Sequence, residues 1–140
     1  MPFKFIEDIA IADVAFQATG KNLNELFESA AKAVIASMAN PKTVKPKIKK
    51  TIRKKAKNIE LLLFELLEEI IYLKDKDAIV FSDAKVKVDE KKMTVTAILH
   101  GDKIRPTEQE LHQDVKAVTM HYYTVEKIKG KWKASVVLDI

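Results

Sequence analysis

The chain has 140 residues, 47% hydrophobic and 32% charged, which is apolar material enough for one domain with a real core, taken here as residues 1–140. It contains no cysteine, so disulfides, thiolate metal sites and Cys nucleophiles are excluded. The formal net charge of +5 is concentrated in one stretch, where Lys42, Lys45, Lys47, Lys49, Lys50, Arg53, Lys54, Lys55 and Lys57 crowd together.

Met1–Phe5 shows no basic segment followed by an apolar one, so no signal peptide is read. Together with the missing cysteines, this fits a cytoplasmic protein. Phe3–Glu7 alternates as a short strand does. Ala12–Thr19 reads as a second strand, with Val14, Phe16 and Ala18 on one face and Asp13, Ala15 and Gln17 on the other. Asn22 is a good N-cap with Glu25 three residues on, and a helix is predicted from Leu23 to Met38 with its apolar stripe at helical spacing. Asn40-Pro41 stops it.

Lys47–Lys57 alternates in part, with Ile48 and Ile52 against lysines. Lysines guard sheet edges, so an exposed edge strand is expected. The run can attract RNA or an acidic protein surface. The plainer reading is a solvated strand face, since Lys outnumbers Arg 23 to 2 and no aromatic is interleaved for base stacking. Asn58 caps a second predicted helix, Ile59–Leu73. Its Glu60, Glu65, Glu68 and Glu69 rule out a membrane span.

Asp75-Lys76-Asp77 reads as a turn. Ile79–Val88 and Met93–Leu99 read as a hairpin, Gly101-Asp102 as another turn, and residues 105–113 as a polar loop. Asp114–Glu126 and Lys131–Leu138 form the last hairpin. The whole is an α+β domain, a mostly antiparallel β-sheet with two α-helices packed on it.

Asp13 stands alone in the run Ile9–Phe16. It is either a solvent-exposed residue at a strand start or a ligand for a hard cation. At the other end, Asp139 lies beside the final residue, Ile140. A terminal carboxylate next to Asp139 calls for a positive neighbour, Lys, Arg or a cation. If the two ends meet, oxygen-bearing groups converge, which suits Ca²⁺ or Mg²⁺ rather than Zn²⁺. Spacing cannot establish that meeting. Lys116 can neutralise an acidic cluster or pair with a glutamate. His121, with no carboxylate or nucleophile partner in the pattern, fits a hydrogen-bonded sheet residue better than a catalyst. On a regular strand Lys116 shares a face with Val118 and Met120, and His121 with Ala117, Thr119 and Tyr123. His100 and His112, with Asp102, Glu108 and Glu110, lack any recognised ligand spacing. No Gly-rich phosphate loop or Gly-x-Ser-x-Gly is present, so no self-sufficient active site is read.

Ala12-Asp13-Val14, Leu26-Phe27-Glu28-Ser29-Ala30-Ala31, Leu61–Leu67, Lys116-Ala117-Val118-Thr119-Met120-His121 and the final Asp139-Ile140 together resemble the archease family over nearly the whole chain. The Lys-Ala-Val-Thr-x-His segment and the Asp-Ile end are the most specific pieces. The resemblance implies a non-catalytic accessory protein of the tRNA-splicing RNA ligase, promoting guanylylation of the ligase histidine from GTP and repeated turnover. It also implies a divalent ion held by Asp13, Asp139 and Ile140, Ca²⁺ with Mg²⁺ or Mn²⁺ as alternatives, and a partner surface that includes Lys116 and His121. One departure stands out. The family has Asp-His-Thr-Ala-Asp where this chain has Ile9-Ala10-Ile11-Ala12-Asp13, so the chain either does without the missing acid and histidine or uses Asp8, which falls one place too early. The alternative is a chaperone-like protein that modulates another tRNA-modifying enzyme, such as a tRNA methyltransferase, through RNA contact at residues 42–57. No membrane partner is expected.

Overall fold

A computed structural model describes residues 3–6 and 13–140. The elements in order are β1 (Phe3–Ile6), β2 (Asp13–Gly20), α1 (Leu23–Met38), a 3-10 turn (Pro41–Thr43), β3 (Ile48–Lys55), α2 (Ile59–Asp77), β4 (Ile79–Asp89), β5 (Thr94–Lys103), β6 (Ala117–Ile128) and β7 (Lys131–Asp139). The antiparallel strands fall into two sheets. The four-stranded sheet has the order β1-β2-β7-β6 and the three-stranded sheet the order β3-β5-β4. This is the expected α+β architecture, with the strands divided between two sheets. Helix α1 packs on β2 and β4, and α2 on β3 and β6, so each helix touches both sheets.

Both helices begin where an asparagine supplies an acceptor for an orphan amide. Asn22 takes the Glu25 N–H and Asn58 the Leu61 N–H, each at 2.9 Å. Leu26, Phe27, Ala30, Ala31 and Val34 of α1 meet Leu62, Leu63, Leu66, Leu67 and Ile70 of α2 in one core, all fully buried. Phe16, Ala134, Val136 and Leu138 add the inner face of the four-stranded sheet. Each large side chain so buried contributes on the order of 1.5–3 kcal/mol of transfer free energy.

Beyond shifts of one or two residues at strand ends, three elements differ from expectation. Helix α2 continues one turn past Leu73 to Asp77, because Lys74 is drawn inward and Ala78 takes the left-handed cap itself, at φ 52°. Strand β5 runs through Gly101-Asp102 rather than turning there. A Cβ on Gly101 would stand 2.1 Å from the Val80 carbonyl oxygen, so the glycine permits close strand approach. Strand β6 begins at Ala117, not Asp114, and is not regular. Its register with β7 slips between Thr119 and Thr124, which stand opposite Val137 and Ser135. Strand β3 is an edge strand, as its lysines indicate.

Candidate acidic site at the strand ends

Asp13 is the first residue of β2 and Asp139 the last of β7, and the antiparallel register sets them directly opposite each other. Val14 and Leu138, next along, pack on the core. Side chains alternate, so both aspartates project from the opposite, outer face of the sheet. Directly opposed residues have Cβ atoms about 4.5–5.5 Å apart, and like charges there are destabilising. Ala117 of β6 lies opposite Asp139 on its other side, so this end of the sheet continues from β2 to β6. Ile140 is partly buried with its side chain against the core. What it can offer a ligand is therefore main-chain oxygen.

Among the described residues neither aspartate is in an ion pair, and no three His, Cys, Asp or Glu residues converge as a metal cluster. The pair thus supplies two carboxylates, to which the Ile140 main chain adds oxygen. That donor set is all oxygen and fits a hard divalent cation better than Zn²⁺. Asp8, the candidate substitute for the missing acid, and residues 9–12 lie outside the described residues.

Lys116 joins this end through its backbone. Its N–H donates to the Asp139 carbonyl at 2.8 Å, while its side chain is exposed. The approach to Lys116 is strapped down step by step. His112 N–H and Gln113 N–H donate to the Met38 and Ser37 carbonyls. The His112 ring bonds the Ala36 carbonyl through Nδ1 at 2.9 Å and Glu110 through Nε2 at 2.7 Å. Lys74, 7% exposed, then donates to Asp114 at 2.6 Å and to the Val115 carbonyl at 2.8 Å, with Asp75 at 2.7 Å. Burial works against the Lys74 charge, but the hydrogen bonds and charges of Asp114 and Asp75 outweigh it and hold its pKa above the ordinary lysine value. Lys74 was invisible as an anchor in the sequence. The only available sign was a lysine interrupting the run after Leu73.

His121 is placed differently. It lies in the slipped segment of β6, exposed, with its N–H donating to Thr119 Oγ1 at 3.2 Å and its ring centroid 4.1 Å from that of Tyr122. Tyr122 has φ 54° and is 69% exposed, and Met120 is 54% exposed. The even alternation expected of Lys116–Tyr123 therefore fails. Val118 is buried while Met120 is not, and Lys116 precedes the strand. The segment resumes at Tyr123, whose hydroxyl donates to the Glu60 carbonyl at 2.6 Å and whose ring meets Phe64 edge-on. Burial raises the Tyr123 phenol pKa far above its ordinary value. Lys116 thus adjoins Asp139, while His121 lies within the bulge.

Of the residues around the polar loop, His112 and Asp102 have defined partners. His112 is held as above. Asp102, 4% exposed, accepts from Lys103 N–H at 2.9 Å and pairs with Arg105. Burial opposes its charge, but these contacts prevail and lower its pKa. Among the described residues no helix is long and apolar enough to cross a membrane.

The two-sheet, two-helix domain has counterparts among known proteins. The Archease protein family model matches residues 3–140. Protein archease of Pyrococcus furiosus is 34% identical over 132 residues, covering 92% of this chain and 93% of that protein. Protein archease of Sulfurisphaera tokodaii is 33% identical over 138 residues, covering 99% and 98%. The solution structure of Methanobacterium thermoautotrophicum protein 1598 superposes with a TM-score of 0.85 at 33% identity, covering 99% of both chains. The crystal structure of an archease, possible chaperone, from Thermotoga maritima has a TM-score of 0.68 at 20% identity, covering 96% and 97%, and shows the shared fold. The chain belongs to the archease family.

Proposed function

We propose that this protein is a non-catalytic accessory factor of the tRNA-splicing RNA ligase, promoting ligase guanylylation and multiple turnover in the cytoplasm. The observation that supports it most is the opposition of Asp13 and Asp139, residues 126 positions apart that the β2–β7 register sets side by side. Two like charges held opposite each other cost free energy in the absence of a counter-ion. The protein holds that arrangement at the end of its sheet, with both aspartates partly exposed. Asp13, Asp139 and the main-chain oxygen of Ile140 are the groups that would hold a divalent cation, Ca²⁺ or alternatively Mg²⁺ or Mn²⁺, and a bound ion there would supply local positive charge and coordination positions for oxygen ligands at the contact with the ligase. The residues themselves offer acceptors. Lys116 N–H, donating to the Asp139 carbonyl, fixes the direction of that strand end. Lys116 and His121 belong to the surface that meets the ligase in this reading.

The test is ligase turnover with GTP, divalent ion and split tRNA, with and without this protein. Stimulation by the intact protein, lost in folded Asp13→Ala and Asp139→Ala variants, is the expected result. Undiminished stimulation by both variants would remove the acidic pair from the mechanism. No stimulation by the intact protein would leave the chaperone-like role on another tRNA-modifying enzyme, such as a methyltransferase, as the better reading.

A further inference from the structure

The three-stranded sheet turns one face to the helices and the other to solvent, and it sorts the lysine-rich stretch between them. Lys50 and Lys54 lie on the helix side and are neutralised there by Asp77 and Glu69 of α2, each at 3.0 Å. Lys49, Arg53 and Lys55 alternate with them and are exposed on the other face. The register carries that face across β5 to β4. Arg53 is opposite Thr96, which is opposite Lys87, while Lys85 lies opposite Ile98 in the neighbouring row. Lys85 and Lys87 are exposed, although neither belongs to the basic run in the sequence. The outer face thus has two rows that carry cations, on β3 and β4, about 10 Å apart, and between them on β5 the hydroxyls of Thr94 and Thr96 followed by Ile98 and His100. Asp83 and Asp89 sit at its corners, and Glu90 and Glu28 border its β4 side, Glu28 accepting the Val86 N–H at 3.2 Å and pairing with Lys32 at 3.5 Å. Asp83 is 3.9 Å from Lys32, and Asp89 accepts the Lys92 N–H at 3.1 Å.

We propose that this open face binds double-stranded RNA along its phosphate backbone, without reading sequence. Two rows of cations match two phosphate strands, and the hydroxyl row between them suits the 2′-hydroxyls that line the shallow groove of an A-form helix. The strand register puts no phenylalanine, tyrosine or tryptophan on this face; its one ring is the His100 imidazole, set between Lys49 and Asp83, so it offers no row of rings on which successive unpaired bases could stack. The site is separate from the acidic strand ends, since it lies on the other sheet, and it does not depend on the reading given to them.

The experiment is fluorescence anisotropy with a labelled RNA duplex of about 16 base pairs, titrated over a range of salt without ligase or divalent ion. Failure there leaves the ligase reading untouched. Intact protein binds at low salt, and its affinity falls linearly with salt on logarithmic axes. Lys85→Gln with Lys87→Gln shallows that slope by about two, one for each phosphate no longer neutralised. Lys42→Gln with Lys45→Gln removes the same charge from the basic run before β3 begins, and shifts the slope far less. Circular dichroism checks that both doubles are folded. No binding at about 50 mM salt, an equal loss in the two doubles, or equal affinity for the matching DNA duplex would each overturn the proposal. Poly-L-glutamate binding in place of RNA would overturn it in favour of an acidic protein partner.

Discussion

Asp13 and Asp139 form the terminal pair of the β2–β7 ladder, the first residue of one strand facing the last of the other. Their repulsion predicts an unusual response to neutralisation. Without divalent ions, Asp13→Asn should raise stability by roughly 0.2–1 kcal/mol, the range for a like-charged cross-strand pair. With excess Ca²⁺ the order should reverse, because only the unaltered protein gains binding free energy on folding. Thermal unfolding in chelator and in Ca²⁺ reads both. A melting temperature of the unaltered protein that ignores the ion would remove the ion site.

Lys74 should behave as a keystone for the segment that leads to Lys116. Replacing it with Met keeps the apolar stem and removes the donor to the buried Val115 carbonyl. An unsatisfied buried acceptor costs about 1–3 kcal/mol, which urea denaturation would measure. The amide of Lys116, bonded to Asp139, should then exchange faster than the amides of α1. A variant with unchanged stability and exchange would show that the strap is held elsewhere.

Local signals were legible in the sequence and long-range ones were not. The bounds of α1 follow from Asn22 and the chain's turn at Asn40-Pro41, both of which act within a few residues. The β6–β7 turn was legible too, for Lys129 and Gly130 both take positive φ, at 50° and 79°, and the glycine marks it. The division into two sheets depends on pairings such as β2 with β7, which no local pattern encodes. The β6 bulge is silent for another reason. Thr119–Thr124 consists of strand formers without glycine or proline, so nothing in the residues marks the slip. The acidic pair was reached through the family resemblance; residues 126 apart declare no proximity. The Lys85 and Lys87 half of the basic face was missed because those lysines read as ordinary alternation on a hairpin.

His112 predicts a pH window. In its charged form its Nδ1 donates to the Ala36 carbonyl and its Nε2 to Glu110, and both interactions raise its pKa above the ordinary 6.5 against the opposing effect of burial. The His112 hydrogen bond lowers Glu110 below its ordinary 4.5. The raised histidine contributes stability that is complete below about 6.5 and is lost as pH rises through its folded pKa. The lowered glutamate contributes stability present above about 4.5 and lost as pH falls through its folded value. The stability difference between the unaltered protein and His112→Gln should therefore be largest between those two ordinary values and shrink on the alkaline side. Denaturation midpoints across that range test it, and a difference that grows with pH would reverse the assignment.

Gly101 tests the close approach of β5 to β4. An added Cβ would stand 2.1 Å from the Val80 carbonyl oxygen and 3.0 Å from Phe81 Cα, both backbone atoms that cannot rotate away. Gly101→Ala should cost at least about 1–3 kcal/mol, the range for an overpacked interior. At Gly130 nothing lies within 4 Å of an added Cβ, so Gly130→Ala carries only the penalty of its positive φ. Chemical denaturation should rank the two accordingly. Equal losses would mean that the backbone around Gly101 relaxes freely.

Tyr122 offers a way to separate partner binding from folding. Its backbone is left-handed at φ 54°, a conformation that costs a residue with a Cβ roughly 1–2 kcal/mol. Its ring is 69% exposed, against His121, and buries little that would repay that cost. Tyr122→Gly removes the strain and adds about 0.5–1 kcal/mol of unfolded-chain entropy, so net stability should hold or rise, by no more than about 1.5 kcal/mol. If the bulge is kept because it presents Met120, His121 and Tyr122 to the ligase, stimulation of turnover should nevertheless fall in this variant. Paired measurements of unfolding and ligase stimulation decide it. Full stimulation by Tyr122→Gly would take the bulge out of the partner surface and leave the contact to the acidic end alone.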